Sequence, residues 1–455
     1  MGETSSKLFS EFSGVTKSEW LAKIESDLKG KPLDILEFKP EFDLDIKAYY
    51  HPEDFKERRL TNQAGDQTNN DWFVNEVFID DNSKLTNKKI LEKLNQGVTG
   101  LKLVLNADSN FDILFKDVLV EYIFVHLVFS TLSQVETFVS FSKDYNFGSC
   151  NLELAVLSDG LTEGTLTFKT TDLVNYYELT KTIQGANLVV SADCFGDFGA
   201  STVQELAIAM AQLHESFEVL MDHDISIETI SNKIALNLSI NGDYFVNIAK
   251  YRAVKELTMQ LQKQWDIEQS APWLNAITGI RNITHNDRYN NLLRQTTEAM
   301  SAISGGVNTV TIQPYSQVTD NEHNLSERLA RNIQLILKEE AYFDKVIDPG
   351  SGSYYIESLT DQLIEKAWQL FIDIENQGGY LSAISNGYIH SLINKNRQDM
   401  VAQLNAHTQT LLGVNKYPNN METWQNVDHQ DSKKSVAFEG FTIFQLESNF
   451  EKTTK

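Results

Sequence analysis

The sequence predicts an α/β fold, a closed (β/α)8 barrel, and three observations carry that expectation. From Trp72 onward, short β-branched or aliphatic runs alternate with longer amphipathic ones, the pattern of parallel strands joined by crossover helices. The alternation repeats eight times in about 270 residues, close to what one such barrel requires. The whole chain has 455 residues, which leaves room for flanking segments, and no shorter internal repeat interrupts the rhythm.

The elements follow in order. Residues 17–30 form an amphipathic helix with Leu21, Ile24 and Leu28 on one face, Trp20 beside them, and Gly30 as its stop. Residues 31–71 are a long polar connection, which inside a domain reads as an extended arm or a binding loop. The strands are expected at Trp72–Ile79, Leu101–Leu105, Tyr122–Phe129, Leu152–Leu157, Asn187–Ala192, Ile234–Ile240, Leu274–Thr278 and Val307–Ile312. The helices between and after them are expected at Leu85–Leu94, Phe111–Leu119, Leu132–Ser142, Asp172–Ile183, Thr202–Leu220, Tyr244–Gln264, a run starting at Asn286, and Ser326–Glu340. Two further helices, 357–377 and 389–412, follow, the first with Leu359, Leu363, Ala367 and Phe371 on one face. The polar tail holds one apolar stretch, Ala437–Leu446, which reads as a short strand. The division is therefore an arm over 1–71, a TIM-type barrel over 72–345 and a helical extension over 346–455.

Composition narrows the function. The net charge is −24, which disfavours nucleic acid as a partner and weakly disfavours this chain as the main holder of a polyanion. No apolar run approaches the ~20 residues a membrane span needs. The start of the chain lacks the basic-then-apolar pattern of a secretory signal. Cys150 and Cys194 are the only cysteines, too few for a disulfide framework and in keeping with a reducing cytoplasm. No metal site is expected in this chain.

The most informative stretch is 284–357. Asn286 or Asp287 is placed to cap a helix. Leu292, Leu293, Thr296, Ala299, Met300 and Ile303 recur at helical spacing. Gly305-Gly306 ends that helix, and a β-branched strand follows. Asp348-Pro349-Gly350-Ser351-Gly352-Ser353 has the look of a phosphate loop but no lysine and no strand-to-helix setting, so it reads as a turn. His126, mid-strand among apolar residues, reads as a satisfied core histidine.

Tyr289-Asn290-Asn291, Arg294, Glu298-Ala299-Met300, Gly305-Gly306, Ala330-Arg331-Asn332 and Asp348 to Tyr354 together resemble the barrel domain of the cobalamin-dependent acyl-CoA mutases. Within them the likeness is to the methylmalonyl-CoA mutase family, and there to its small subunit. It extends more loosely over residues 17–417. The resemblance implies a barrel that encloses an acyl-CoA and a separate flavodoxin-like domain whose Asp-x-His-x-x-Gly histidine ligates cobalt. None of the nine histidines here has that setting, so no cobalamin-binding domain is expected in this chain. It also implies that residues 17–30 contact a partner chain, against the plainer reading of a helix packed on its own barrel.

The family's functional positions are largely replaced. Where catalytic members end the fifth strand with Ser-Gly-Tyr-His, this chain has Ser191-Ala192-Asp193-Cys194. Asp193 thus stands for the tyrosine, and Cys194 for the histidine that meets the thioester carbonyl; a thiol is a weak donor. Thr311 replaces the corrin-facing histidine, and Asn75 the CoA-contacting arginine. Glu340 matches the acidic residue that holds the adenosyl ribose and is a vestigial cofactor candidate, while Arg252, in Ala249-Lys250-Tyr251-Arg252-Ala253, matches the family's sixth helix and is at most a substrate-binding candidate. A nucleophilic Cys194 is disfavoured by Asp193 and Asp197 beside it.

The expectation is a small subunit of a heterodimeric methylmalonyl-CoA mutase, itself non-catalytic, with no metal and no cofactor of its own. Acyl-CoA and adenosylcobalamin are expected in a large partner subunit. The alternative is a catalytic barrel that works with a separate cobalamin-binding chain.

Overall fold

The structure, a computed structural model, describes residues 13–37, 44–54, 69–154, 157, 160–165, 169–228, 230–317, 323–419 and 440–450. Helix α1 (Lys17–Asp27) opens on a capping box in which Thr16 and Glu19 satisfy each other's backbone N–H. It buries none of its own residues. Lys17 pairs with Asp54, which also takes Lys47 Nζ at 2.8 Å. Leu44 and Ile46 are buried, and Gln362 exchanges two hydrogen bonds with the Asp45 backbone. The arm is thus anchored at 44–46 while α1 stands outside the core.

Eight strand–helix units follow. They are β1 (Phe73–Ile79), α2 (Ser83–Leu94), β2 (Gly100–Val104), α3 (Phe111–Leu114), β3 (Phe124–Phe129), α4 (Leu132–Phe141), β4 (Ser149–Leu154), α5 (Thr170–Thr180) and β5 (Leu188–Ser191). After a single short turn of helix, α6 (Asp193–Asp197), come α7 (Thr202–Asp222), β6 (Ile234–Ile240), α8 (Tyr244–Gln264), β7 (Trp273–Thr278), α9 (Asn290–Ser304), β8 (Thr309–Thr311) and α10 (His323–Glu339). The strands pair in parallel in the order β4-β3-β2-β1-β8-β7-β6-β5. A parallel bridge between Asn151 and Ala186 closes the ring, with Leu152 N donating to Ala186 O and Ala186 N to Cys150 O. The result is the (β/α)8 barrel expected. At the closing bridge, Gly185 has φ +118°, and a Cβ there would fall 2.1 Å from Cys150 O, so the approach depends on glycine.

The helices α11 (Tyr354–Glu375), α12 (Tyr380–Ser385) and α13 (Tyr388–Asn405) follow. Alternate strand residues such as Leu101, Leu103, Leu236, Leu238 and Val310 join the helix-facing core, as the period-two alternation of a strand requires. No helix among the described residues is long and apolar enough to cross a membrane.

Several expectations need adjustment. The third helix is a single turn, because Asp117 adopts a left-handed φ of +62° soon after it. Helix α9 begins at Asn290 under Tyr289, not at Asn286, and has no side-chain cap. Asn286 instead gives its side-chain N–H to Glu447 at 2.7 Å. Gly306, at φ +75°, ends α9 as expected. Residues 440–446 carry no strand, and 437–439 lie outside the described residues. Helix α12 had no sequence signal beyond the Gly378-Gly379 pair before it, both at positive φ.

Candidate functional site

A barrel of this type does its chemistry at the C-terminal ends of its strands, so the bore and its mouth are the place to look. The bore is filled in two layers. At the N-terminal ends of the strands, Phe73 of β1, Phe124 of β3 and Trp273 of β7 meet across the axis. Their ring centroids lie 5.6 Å (Phe73–Phe124), 6.0 Å (Phe73–Trp273) and 5.1 Å (Phe124–Trp273) apart. None of these strands is hydrogen-bonded to another of the three, so these contacts can be made only through the interior.

Above the rings lies a polar layer. Glu153 of β4 is its centre. His126 Nε2 meets Glu153 Oε2 at 2.7 Å, Ser191 Oγ donates to Oε1 at 2.5 Å, and Asn237 Nδ2 donates to Oε2 at 3.1 Å. Asn275 Nδ2 donates onward to Asn237 Oδ1, and Thr309 Oγ1 and Trp273 Nε1 donate to Asn275 Oδ1. Although burial opposes it, Lys102, His126 and Ser191 hold the Glu153 carboxyl down at about 2. Burial, the largest influence on His126, lowers its imidazole despite Glu153. The pair is therefore a charged carboxylate accepting from a neutral imidazole N–H. Its hydrogen-bonding capacity is spent on neighbouring strands rather than turned toward a ligand.

The sequence-predicted positions are scattered. Asp193 and Cys194 begin α6, directly after β5. Burial, then the charges of Asp193, Asp197, Glu205 and Glu153, push the Cys194 thiol well above its ordinary range, the opposite of what a reactive thiolate needs. Thr311 Oγ1 accepts from Asn75 Nδ2 at 2.8 Å, so the two replaced positions on β8 and β1 contact each other, while Asn75 Oδ1 stays buried without a partner. Glu340 is exposed just past α10. Its near neighbour Lys338 donates to Trp72 O, ahead of β1, which puts Glu340 at the barrel end opposite the strand C-termini. Arg252 of α8 is buried, and its guanidinium is engaged by Asp348 at 3.1 Å, Glu357 at 2.9 Å and Thr360 at 2.9 Å. The Asp348–Ser353 turn therefore anchors α11 on α8. Arg331 of α10 binds Glu76 at 2.6 Å, also between elements of the scaffold.

The mouth carries a second surprise. The segment 440–450 crosses the rim above β5–β7. Phe441 stacks on Phe198 at 5.2 Å with the rings 18° from parallel. Phe444 N donates to Asp197 O, and Leu446 N to Arg281 O. The Glu447 carboxylate then accepts from the backbone N–H groups of His285 and Asn286. Arg397 of α13 clasps the strap, donating to both Phe198 O and Thr442 O. Beneath it, burial lifts Asp197 to about 7 and Glu298 of α9 to about 8. Asp197 and Glu298 were named in the sequence but not as buried acids under a strap, and the polar bore was missed. The available signal was the polar residue at every second position of strands that otherwise read as buried and apolar.

Comparison with known proteins shows what the chain is similar to. The family model described as methylmalonyl-CoA mutase matches residues 167–440. A methylmalonyl-CoA mutase small subunit of Porphyromonas gingivalis (strain ATCC BAA-308 / W83) is 31% identical over 449 residues, covering 92% of this chain and 72% of the relative. The protein of the same name from Propionibacterium freudenreichii subsp. shermanii is 27% identical, covering 91% and 70%. A methylmalonyl-CoA mutase of Rhizobium meliloti (strain 1021) is 32% identical over 233 residues, half of this chain and 32% of the relative.

Proposed function

This chain belongs to the methylmalonyl-CoA mutase family, and from that premise we propose that it is the small, structural subunit of a heterodimeric mutase. Its large partner holds the acyl-CoA and the adenosylcobalamin and interconverts methylmalonyl-CoA and succinyl-CoA. Two of the similar proteins are named small subunits, and the relation to a large subunit comes from that name.

The observation that carries the non-catalytic reading is the filled bore. A barrel that encloses an acyl chain needs space along its axis. Here the Phe73, Phe124 and Trp273 rings and the Glu153 layer take it. The residues at the strand C-termini also do not fit a corrin. Thr311 is bound to Asn75, the Phe441–Glu447 strap lies on the β5–β7 rim, and no Asp-x-His-x-x-Gly occurs in these 455 residues. We therefore derive no chemical step through cobalamin on this chain. What the chain offers a partner is α1, which buries nothing against its own barrel.

The test is co-expression with a large mutase subunit, size-exclusion chromatography and a mutase assay with and without Cys194→Ala. A 1:1 complex with unchanged turnover in the variant is expected. Collapse of turnover in Cys194→Ala, or activity of this chain with only a small corrin-binding protein, would sink the structural reading.

A further inference from the structure

Helices α7 and α11 bring three ligating side chains together on the outer helical layer, away from the bore. His214 and Glu218 sit one turn apart on α7, and Glu375 is the last residue of α11. His214 Nδ1 lies 3.3 Å from Glu375 Oε2 and 3.7 Å from Glu218 Oε2. One donor atom from each of the three residues lies within 4.8 Å of the others. Donors bound to one tetrahedral ion at ~2.0–2.2 Å stand roughly 3.3–3.6 Å apart, so the two distances from His214 Nδ1 lie close to those around a shared ion.

Two further observations point to a ligand. His214 Nδ1 and Glu375 Oε1 are buried atoms with no hydrogen-bond partner. His214 Nδ1 faces Glu375 Oε2 at ion-pair distance, a contact a shared ion would replace. In addition, a groove of about 500 Å³ opens on the cluster, lined by Leu261, Gln264, Trp265, Trp368 and Phe371. It leaves a fourth coordination position accessible. The rings of Trp265 and Phe371 stand 5.3 and 5.5 Å from the imidazole and hold it in place, as the apolar surround of a metal site does.

We propose that His214, Glu218 and Glu375 form a site for a divalent transition-metal cation of the zinc class, joining α7 to α11. One imidazole nitrogen and two carboxylate oxygens suit such an ion, whereas calcium and magnesium take all-oxygen sets. A divalent ion offsets the two carboxylate charges more completely than one imidazolium does. The ligands come from helices far apart in sequence, so the ion binds the folded chain and stabilises it by mass action. The site does not depend on the proposed role in a mutase.

The experiment uses the full chain stripped with a chelator. Zn²⁺ is titrated against a chromophoric competitor, and Co²⁺ is added separately to read its visible ligand-field absorption. One equivalent of Zn²⁺ is expected, with a four-coordinate Co²⁺ spectrum and a rise in Tm with excess Zn²⁺. Glu375→Gln keeps the side-chain shape and should weaken binding about tenfold or more. His214→Ala should abolish the Co²⁺ signal, while Glu178→Gln, in an exposed pair with Lys181 on α5, should change nothing. Circular dichroism checks each fold, and if His214→Ala does not fold, Glu375→Gln decides alone. Absence of saturable binding in the wild-type chain, or equal binding in Glu375→Gln, overturns the site; an ordinary imidazolium–carboxylate pair gives that result.

Discussion

Glu298 shows how much one buried side chain can govern. It sits on α9 facing Asn282, Arg294 and Arg281, yet burial outweighs them and lifts its carboxyl to about 8. Asp197, at about 7, behaves alike for the same leading reason. Both acids hold protons in the folded chain that the unfolded chain releases near pH 4. The folded state then binds more protons, so stability falls as pH rises from about 4 through 8. Glu298→Gln removes one of the two contributions. Urea unfolding at pH 6 and pH 8 should show the variant gaining about 1–2 kcal/mol over wild type at the higher pH relative to the lower. Equal differences at both pH values would contradict the assignment. At this scale little was legible in advance. Glu153 lies inside an expected strand without being singled out, and its partners His126, Ser191 and Asn237 come from three other strands. Such a network has no local signature. The pairing of Asn75 with Thr311 was equally hidden, although each was singled out alone.

At the scale of elements the sequence spoke more clearly. The expected bounds of β6 and α8 coincide with those observed, because long periodic runs are specified by their own burial pattern. Boundaries failed where a single backbone conformation decides. Asp117 cut the third helix short, and His407, at φ +57°, follows the end of α13, which had been extended to 412. The strap failed for another reason: Phe441 and Phe444 gain their meaning from Phe198 and Arg397, which no periodicity connects. Phe441 is buried between Phe195, Phe198 and His390. Phe441→Ala should therefore cost about 3 kcal/mol, and limited proteolysis should cut the tail faster in the variant. An unchanged digestion pattern would mean that the strap is held by Glu447 and Arg397 instead.

Across the whole molecule, the barrel is closed unevenly. Among the described residues, six or fewer residue pairs join any two strands, and the β4–β5 junction shows the one bridge at Asn151 and Ala186. Hydrogen exchange should find the amides of Leu152 and Ala186 less protected than those of β6, which pairs on both sides. Equal protection would show that the packed helices, not the ladder, set the opening energy.

The rings in the bore also set what opening the axis would cost. A passage along it would require shrinking Phe73, Phe124 and Trp273 together. Each such truncation costs about 3 kcal/mol or more in a packed interior, and three of them rival the entire ~5–15 kcal/mol margin of a folded domain. Shrinking one side chain alone leaves a void without a path. The outer surfaces of this barrel are therefore freer to change than its axis.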